Sequence, residues 1–484
     1  MRANYTQYMT PQLRILSDDQ MEEIHLATLE LLESVGVFIN QPEALALLDG
    51  AGAYVVSKDR VKIPCFLVEE ALRTAPRRIA LSNRDGERVM FLEDHKFYFG
   101  PNSDAPDYLD PFTRTRRPAM LKDAAAMATV TDYLPNMDFI MEAGCVTADC
   151  APDAAGPAIF KQLVTHTRKV IGVCHGGTLA ATRSILDMAA VVAGGIENLR
   201  RNTFVWYYTE PISPLQHNTE SISKLLLCAE RGIPTVYIPM PMAGSSAPCG
   251  LAGTIAQLGA EVLSGLVIQQ LKVKGAPFIY GGIPSTMDMK TSIVAYGAPE
   301  MSLMSAAMTD MAHYYKLPVF TTAGCGDAKF VDQQFAVEAA LSCLMAALSG
   351  GHLIHDTALM DAAQMVSSEG IVLVDEIVAM VKRIMGGVPV NDETLALNVV
   401  REVGPGGHYL DHKHTYKHFR EMWYPRFFDR VRHDVWLMGS QASIGDRINA
   451  KTREILDTHQ APPLPDHVLK GLDAIEGEWI RKTG

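Results

Sequence analysis

The stretch "TVYIPMPMAGSSAPCGLAGTIAQLGAEVLSGLVIQQLKVKGAPFIYGGIP" (235–284) decides the fold. It opens on a short apolar run, TVYIPMP (235–241), and closes on another, PFIYGGIP (277–284). Between them lies a long segment rich in Ala and Leu that stops on Gly275 before Ala276, which reads as a helix with a glycine terminator. An apolar strand, a helix and a second apolar strand form a βαβ unit, and strands of this kind pair in parallel with both faces covered.

The same alternation recurs in both directions from that unit. Strand-like runs are KFYFGPNSDAP (96–106), MDFIMEAG (137–144), KVIGVCHGG (169–177), TFVWYYTEP (203–211), PVFTTAG (318–324) and HLIHD (352–356). With the two already named they make eight, about 30–43 residues apart, with helix-compatible segments between. Eight units predict an α/β protein of the closed (β/α)8, TIM-barrel type. An open doubly wound sheet is the alternative, but no G-x-G-x-x-G turn follows the first strand.

Residues 1–95 differ. SDDQMEEIHLATLELLESVG (17–36) starts on a capping Ser17 and ends on Gly36, a helix, and the short strands RIALSNR (78–84) and ERVMFLED (87–94) follow. The expected organisation is an N-terminal α+β cap (1–95), a barrel (96–360) and a C-terminal helical extension (361–484). That extension carries a His- and aromatic-rich patch, GPGGHYLDHKHTYKHFREMWYP (404–425), in which His414 and His418 are spaced to share a helix face.

Composition narrows the function. Of 484 residues 48% are hydrophobic and 20% charged, enough for a large core. The net charge of −12 (43 basic, 55 acidic), without a basic run, argues against nucleic acid and against an anionic membrane surface. No apolar signal core opens the chain, and the eight dispersed cysteines contain no C-x-x-C pair, so a reducing, cytoplasmic setting is expected. No Walker spacing marks a phosphate loop, and no H-E-x-x-H or comparable ligand motif enforces a metal site, so none is assigned.

In such barrels the functional groups come from the C-terminal strand ends and the loops that follow. Here these supply Asn102, Asp104, Glu142, His175, Tyr207, Tyr208 and Glu210, then Met240, Tyr280, Thr286, Asp327, Lys329, Gln333, His355 and Asp356. Tyr207 and Tyr208 are adjacent, so one faces the barrel interior and the other the helices. Glu210 before Pro211 also suits a helix cap, and His175 before two glycines also suits a turn.

With those residues in view, the chain resembles the trimethylamine methyltransferase family of corrinoid-dependent enzymes. The resemblance rests on SDDQMEEIHLATLELLESVGV, YGGIPSTMDMKT, YGAPEMSL, AAMTDMAHYYKLPVF, AGCGDAKFVDQQFAVEA, HLIHD and GPGGHYLDHKHTYKHFRE. It implies a (β/α)8 barrel, no tightly bound cofactor, and methyl transfer from an amine nitrogen to the cobalamin of a separate corrinoid protein. The family's archaeal trimethylamine enzymes carry pyrrolysine. The comparable segment here is AGCGDAK, with Gly324, Cys325, Gly326 and Asp327 in its place. Similar proteins without pyrrolysine demethylate quaternary amines, so the resemblance implies glycine betaine first, with proline betaine, carnitine or choline as alternatives.

The chemistry is consistent with this. A quaternary nitrogen already carries its charge, so the tertiary amine leaves neutral and needs no proton. The protein then has mainly to bind a cation and aim one methyl, which is a matter of positioning, and no catalytic residue is assigned. A trimethylammonium head calls for aromatic faces, from Phe99, Tyr207, Tyr208 and Tyr280, with Glu210 as ionic complement. A betaine carboxylate calls for donors, from His355 first, then His175, Lys329 or Asn102. In this reading the Gly-Cys-Gly turn leaves room where a larger residue would project. A homo-oligomer is expected. Two other classes stay open: a metal-dependent barrel lyase or aldolase, and a non-catalytic betaine-binding protein.

Overall fold

The structure, a computed structural model, describes residues 10–101, 104–142, 148–174 and 177–483. Eight parallel strands follow in order: β1 (Tyr98–Pro101), β2 (Phe139–Met141), β3 (Val170–Val173), β4 (Val205–Thr209), β5 (Thr235–Tyr237), β6 (Phe278–Gly281), β7 (Val319–Thr322) and β8 (Leu353–Thr357). Neighbours run β1-β8-β7-β6-β5-β4-β3-β2. The ring closes at the β1/β2 seam, where Asp138 N–H donates to Phe99 O at 2.6 Å and Phe99 N–H to Asp138 Oδ2 at 3.0 Å. All eight runs named from the sequence hold one strand each.

A helix returns after each strand: α1 (Leu121–Tyr133), α2 (Pro152–His166), α3 (Leu179–Val192), α4 (Thr219–Arg231), α5 (Leu251–Lys272), α6 (Pro299–Tyr315), α7 (Gln333–Ser349) and α8 (Ser368–Met385). The boundary expected at 360 therefore cuts through the eighth unit. Two short strands, Leu359–Met360 and Met365–Ser367, intervene before α8 and delay the helix. Helix α5 is long and apolar enough to cross a membrane by composition, yet it is buried from Thr254 to Gln270.

The barrel interior is filled by rings rather than open. Phe139, Trp206 and Phe320 pack edge to face, with centroids 5.9 and 5.4 Å apart, and each is fully buried. Glycines make the space for them. A Cβ on Gly172 would stand 2.3 Å from the Trp206 ring, and one on Gly100 2.4 Å from that of Phe139. The opposite strand faces, with Phe278, Tyr280 and Val319, pack outward on the helix layer.

The N-terminal cap begins with the helix Asp18–Glu30, whose capping box pairs Ser17 with Gln20. Its Thr28 hydroxyl donates to Ala256 O of α5, and Gly259 admits the approach, since a Cβ there would lie 2.9 Å from Thr28 Oγ1. A small sheet (Val37–Ile39, Tyr54–Val55, Arg60–Lys62) is extended by Gln216–His217 from the loop after β4. At the other end of the chain, α9 (Ile444–Thr458) packs on α8 and α1, and α10 (Asp466–Thr483) on α3 and α2.

Candidate functional site

Strand parity decides which predicted residues meet at the barrel mouth. In β4, Trp206 and Tyr208 face inward; the Tyr208 ring sits 6.0 Å from that of Phe320. Tyr207, one residue between, faces outward and its hydroxyl lies 2.6 Å from Thr182 Oγ1 of α3. Tyr280 also faces the helix layer, 5.5 Å from the Tyr315 ring. Phe99 adjoins inward-facing Gly100 and so points the other way, beside Phe97. These three aromatic residues, expected to line the site, cannot present a face to a ligand in the mouth.

The residues brought together are Tyr208, Glu210, Asp104, Asp356 and Tyr296. The Tyr208 hydroxyl donates to Glu210 Oε2 at 2.9 Å. Asp104, Glu210 and Asp356 each bear electrostatically on both Tyr208 and Tyr296 and, after burial, hold both phenols far above their usual range. Glu210 is reached by solvent yet walled by protein; that enclosure, with Asp104 beside it, raises its carboxyl above the ordinary range. Three carboxyl groups and two tyrosine phenols thus share one electrostatic neighbourhood.

Beneath them lies His355, fully buried on β8, its ring 4.0 Å from that of Phe320. Its Nδ1 lies 3.0 Å from Thr321 O and so carries the proton, while Nε2 lies 3.1 Å from Asp356 Oδ2. The expected role as first donor to a substrate carboxylate fits this poorly, because an acid of the protein already occupies that side. Asp356 has φ 70° and Ala358 φ 72°, both left-handed, and the β8/β1 register shifts between Ile354 and Thr357. Such a bulge at a strand end re-aims a side chain and concentrates strain where the site is.

The Gly-Cys-Gly loop is braced rather than open. Gly324 (φ 75°) donates its N–H to Ser342 Oγ, and a Cβ there would lie 2.8 Å from Thr357 Cγ2. A Cβ on Gly326 would run into Glu338 Oε2, and Cys325 is buried with its thiol pushed up by burial and by Asp356. The glycines are there for close packing, so they do not leave the room expected of them. Asp327 serves the backbone instead of a ligand. Its two carboxylate oxygens accept the N–H groups of Tyr296 and Gly297, each at 2.9 Å, and its own N–H is held by Glu338 Oε2. Lys329 turns outward to Asp327 O (2.6 Å) and Asp361 (3.2 Å), away from a substrate carboxylate. Asn102 and His175 lie outside the described residues.

Two residues were not anticipated. Tyr296 arrives on a loop from the short hairpin Ser285–Asp288/Ile293–Val294, within the YGAPEMSL motif already noted. Lys224 of α4 is buried, 5% exposed, and its ammonium is pulled down by burial and faces the fields of Glu220, Glu142 and Glu210. A lone Lys in an amphipathic helix gives no signal of this.

The eight parallel strands and the helices that follow them define a (β/α)8 barrel, with Tyr208 and Glu210 joined at the end of one strand. The chain belongs to the trimethylamine methyltransferase (MTTB) family, whose profile matches residues 1–478, and it is a methyltransferase of that corrinoid-dependent family. It is 32% identical over 473 residues to the trimethylamine methyltransferase MttB of Desulfitobacterium hafniense DCB-2, covering 97% of this chain and 94% of that one. It is 28% identical over 480 residues to the glycine betaine methyltransferase of D. hafniense Y51, covering 98% and 99%. The crystal structure of the Methanosarcina barkeri monomethylamine methyltransferase MtmB superposes with a TM-score of 0.51 at 11% identity, over 97% of this chain and 88% of that one, and supports the same fold.

Proposed function

We propose that this enzyme takes a methyl group from a quaternary amine, with glycine betaine the expected donor and dimethylglycine the product, and passes it to the Co(I) of a separate corrinoid protein. The observation carrying this reading is the cluster of Glu210, Asp104 and Asp356 around Tyr208 and Tyr296. A quaternary ammonium offers no N–H, so it is held by charge and by aromatic faces, which this mouth provides. Lys224, buried within the field of Glu210, gives the zwitterion's carboxylate a cation that choline would not need.

The acceptor supplies the nucleophile; the chain orients the N–CH3 bond. When that bond breaks its electron pair stays on nitrogen, so no protein group has to give or take a proton. The carboxylates favour the charged donor more than the dispersing charge of the transition state, so they serve affinity more than turnover.

The test mixes the purified enzyme with its reduced corrinoid protein and follows cobalt methylation by the visible spectrum. Separate reactions hold glycine betaine, proline betaine, carnitine, choline and trimethylamine. Methylation from a betaine and not from trimethylamine is expected. Methylation from trimethylamine alone, or from none of them, would sink the proposal.

A further inference from the structure

Between α8 and α9 the chain runs through residues 388–442, where only Pro425 is buried. Its helices, Asp392–Leu395, Leu397–Val403, Lys413–His418 and His433–Met438, have four to seven residues and no buried residue among them. Helices so short are not stable in water without packing.

The segment is inside out. Its polar groups bond to one another: Glu393 takes the ammonium of Lys417 and lies 3.4 Å from His418 Nε2, while His418 Nδ1 lies 2.8 Å from Glu421. The His414 and His418 rings pack at 4.3 Å, and His412 faces Glu402 at 3.4 Å. The large apolar side chains point out instead. Leu410 is 86% exposed, Tyr416 and Met438 80%, Tyr424 78% and Met422 71%. Its root, by contrast, is fixed: Arg426 pairs with the fully buried Asp375 and Glu376 of α8, and Arg447 of α9 holds Phe427 O.

We infer that this arm is the interface with a second copy of the same chain, the two arms covering each other's apolar faces. Three observations select that occupant. The first is area. An aromatic side chain buries roughly 150–250 Å², so Tyr409, Tyr416, Phe419 and Tyr424 with the Leu and Met residues exceed the roughly 1,200 Å² of transient contacts and reach the obligate scale. The second is permanence. A carrier that must arrive and leave at each turnover would bare this face between visits, and the arm is rooted on the flank at α8, whereas the reacting space opens at the strand ends. The third is charge. The chain carries −12, but residues 388–442 hold seven basic and seven acidic side chains, so two acidic copies can meet there without net repulsion.

The test uses the full chain at micromolar concentration. Light scattering after size exclusion is expected to give at least twice the 52.9 kDa of the chain. Amides across 388–442 are expected to exchange at least 100-fold slower than in an unstructured peptide. The double variant Leu410→Glu/Tyr416→Glu is expected to elute as a monomer, with unchanged circular dichroism and loss of protection confined to the arm. A wild-type monomer with fast exchange across 388–442 would overturn the inference, with no variant needed. So would a variant that remains oligomeric, or arm protection that appears only when the corrinoid protein is added.

Discussion

The hydroxyl of Tyr208 donates to Glu210 Oε2 at 2.9 Å, so the ring that faces the barrel mouth is locked to the carboxylate that charges it. Replacing Tyr208 by Phe keeps the ring and removes the lock. Titration calorimetry should show about 5-fold weaker amine binding, the worth of one such bond. Tyr208→Ala, which also removes the aromatic face, should lose clearly more; equal losses would show that the ring takes no part.

Glu210 sets a pH dependence whose sign follows from its raised carboxyl. Its charged form holds the cation, so affinity is full above its pKa and lost as pH falls through it, at a higher pH than for an ordinary carboxylate near ~4.3. The same shift means the empty fold is less stable above that pH, because burial then outweighs the help that Tyr208 and Lys224 give the charged carboxylate. Glu210→Gln should therefore flatten the pH profile of binding and raise the thermal midpoint of the free enzyme. Its KM should rise on the order of 10–100-fold, while kcat holds or rises.

Lys224 divides betaines from plain cations. Lys224→Met should weaken glycine betaine on the order of 100-fold through loss of a charge-assisted contact, and leave tetramethylammonium binding unchanged or tighter. A parallel loss for both ligands in competition binding would count against a carboxylate contact.

Asp327 acts at one remove, through the backbone of Tyr296 and Gly297. Asp327→Asn can accept only one of the two N–H groups through its carbonyl oxygen. A shift of the Tyr296 ring by less than ~1 Å should cost about 100-fold in kcat/KM, with circular dichroism unchanged. Full activity in the variant would show that Tyr296 does not need this clamp.

Gly324→Ala tests the braced loop directly. The new methyl meets Thr357 at 2.8 Å on a backbone of φ 75°. Strain of this kind costs about 1–3 kcal/mol, and calorimetry should register a midpoint several degrees lower.

The barrel was legible because all eight strands are continuous apolar runs with helical segments between them, a pattern that survives uncertainty at its edges. Which strand-end residues turn into the barrel was legible only in part. Tyr208, Glu210, Asp104 and Asp356 follow from strand-end position, but which of Tyr207 and Tyr208 turns inward depends on pleat parity, which an apolar run does not disclose. Phe99 and Tyr280 failed for the same reason: buried strands are apolar on both faces. Tyr296 is set by Asp327, 31 residues later, a contact made only once the loops after β6 and β7 have folded. Lysines mislead because their long stems let position and charge part company. Lys329 follows a strand end yet reaches out to Asp361, while Lys224 lies within a helix yet is buried in the fields of Glu142 and Glu210.

The packed rings of Phe139, Trp206 and Phe320 fill the barrel axis, so among the described residues nothing crosses from one end of the barrel to the other. On the proposed function amine, acceptor and demethylated product all approach from the strand-end side, and a docked carrier covers it. On the proposed function turnover is a queue: donor enters first, carrier seats second, and the demethylated amine waits for the carrier to lift away. Steady-state kinetics should accordingly be compulsory-order, and excess unmethylated carrier should inhibit by sealing empty chambers before the donor arrives.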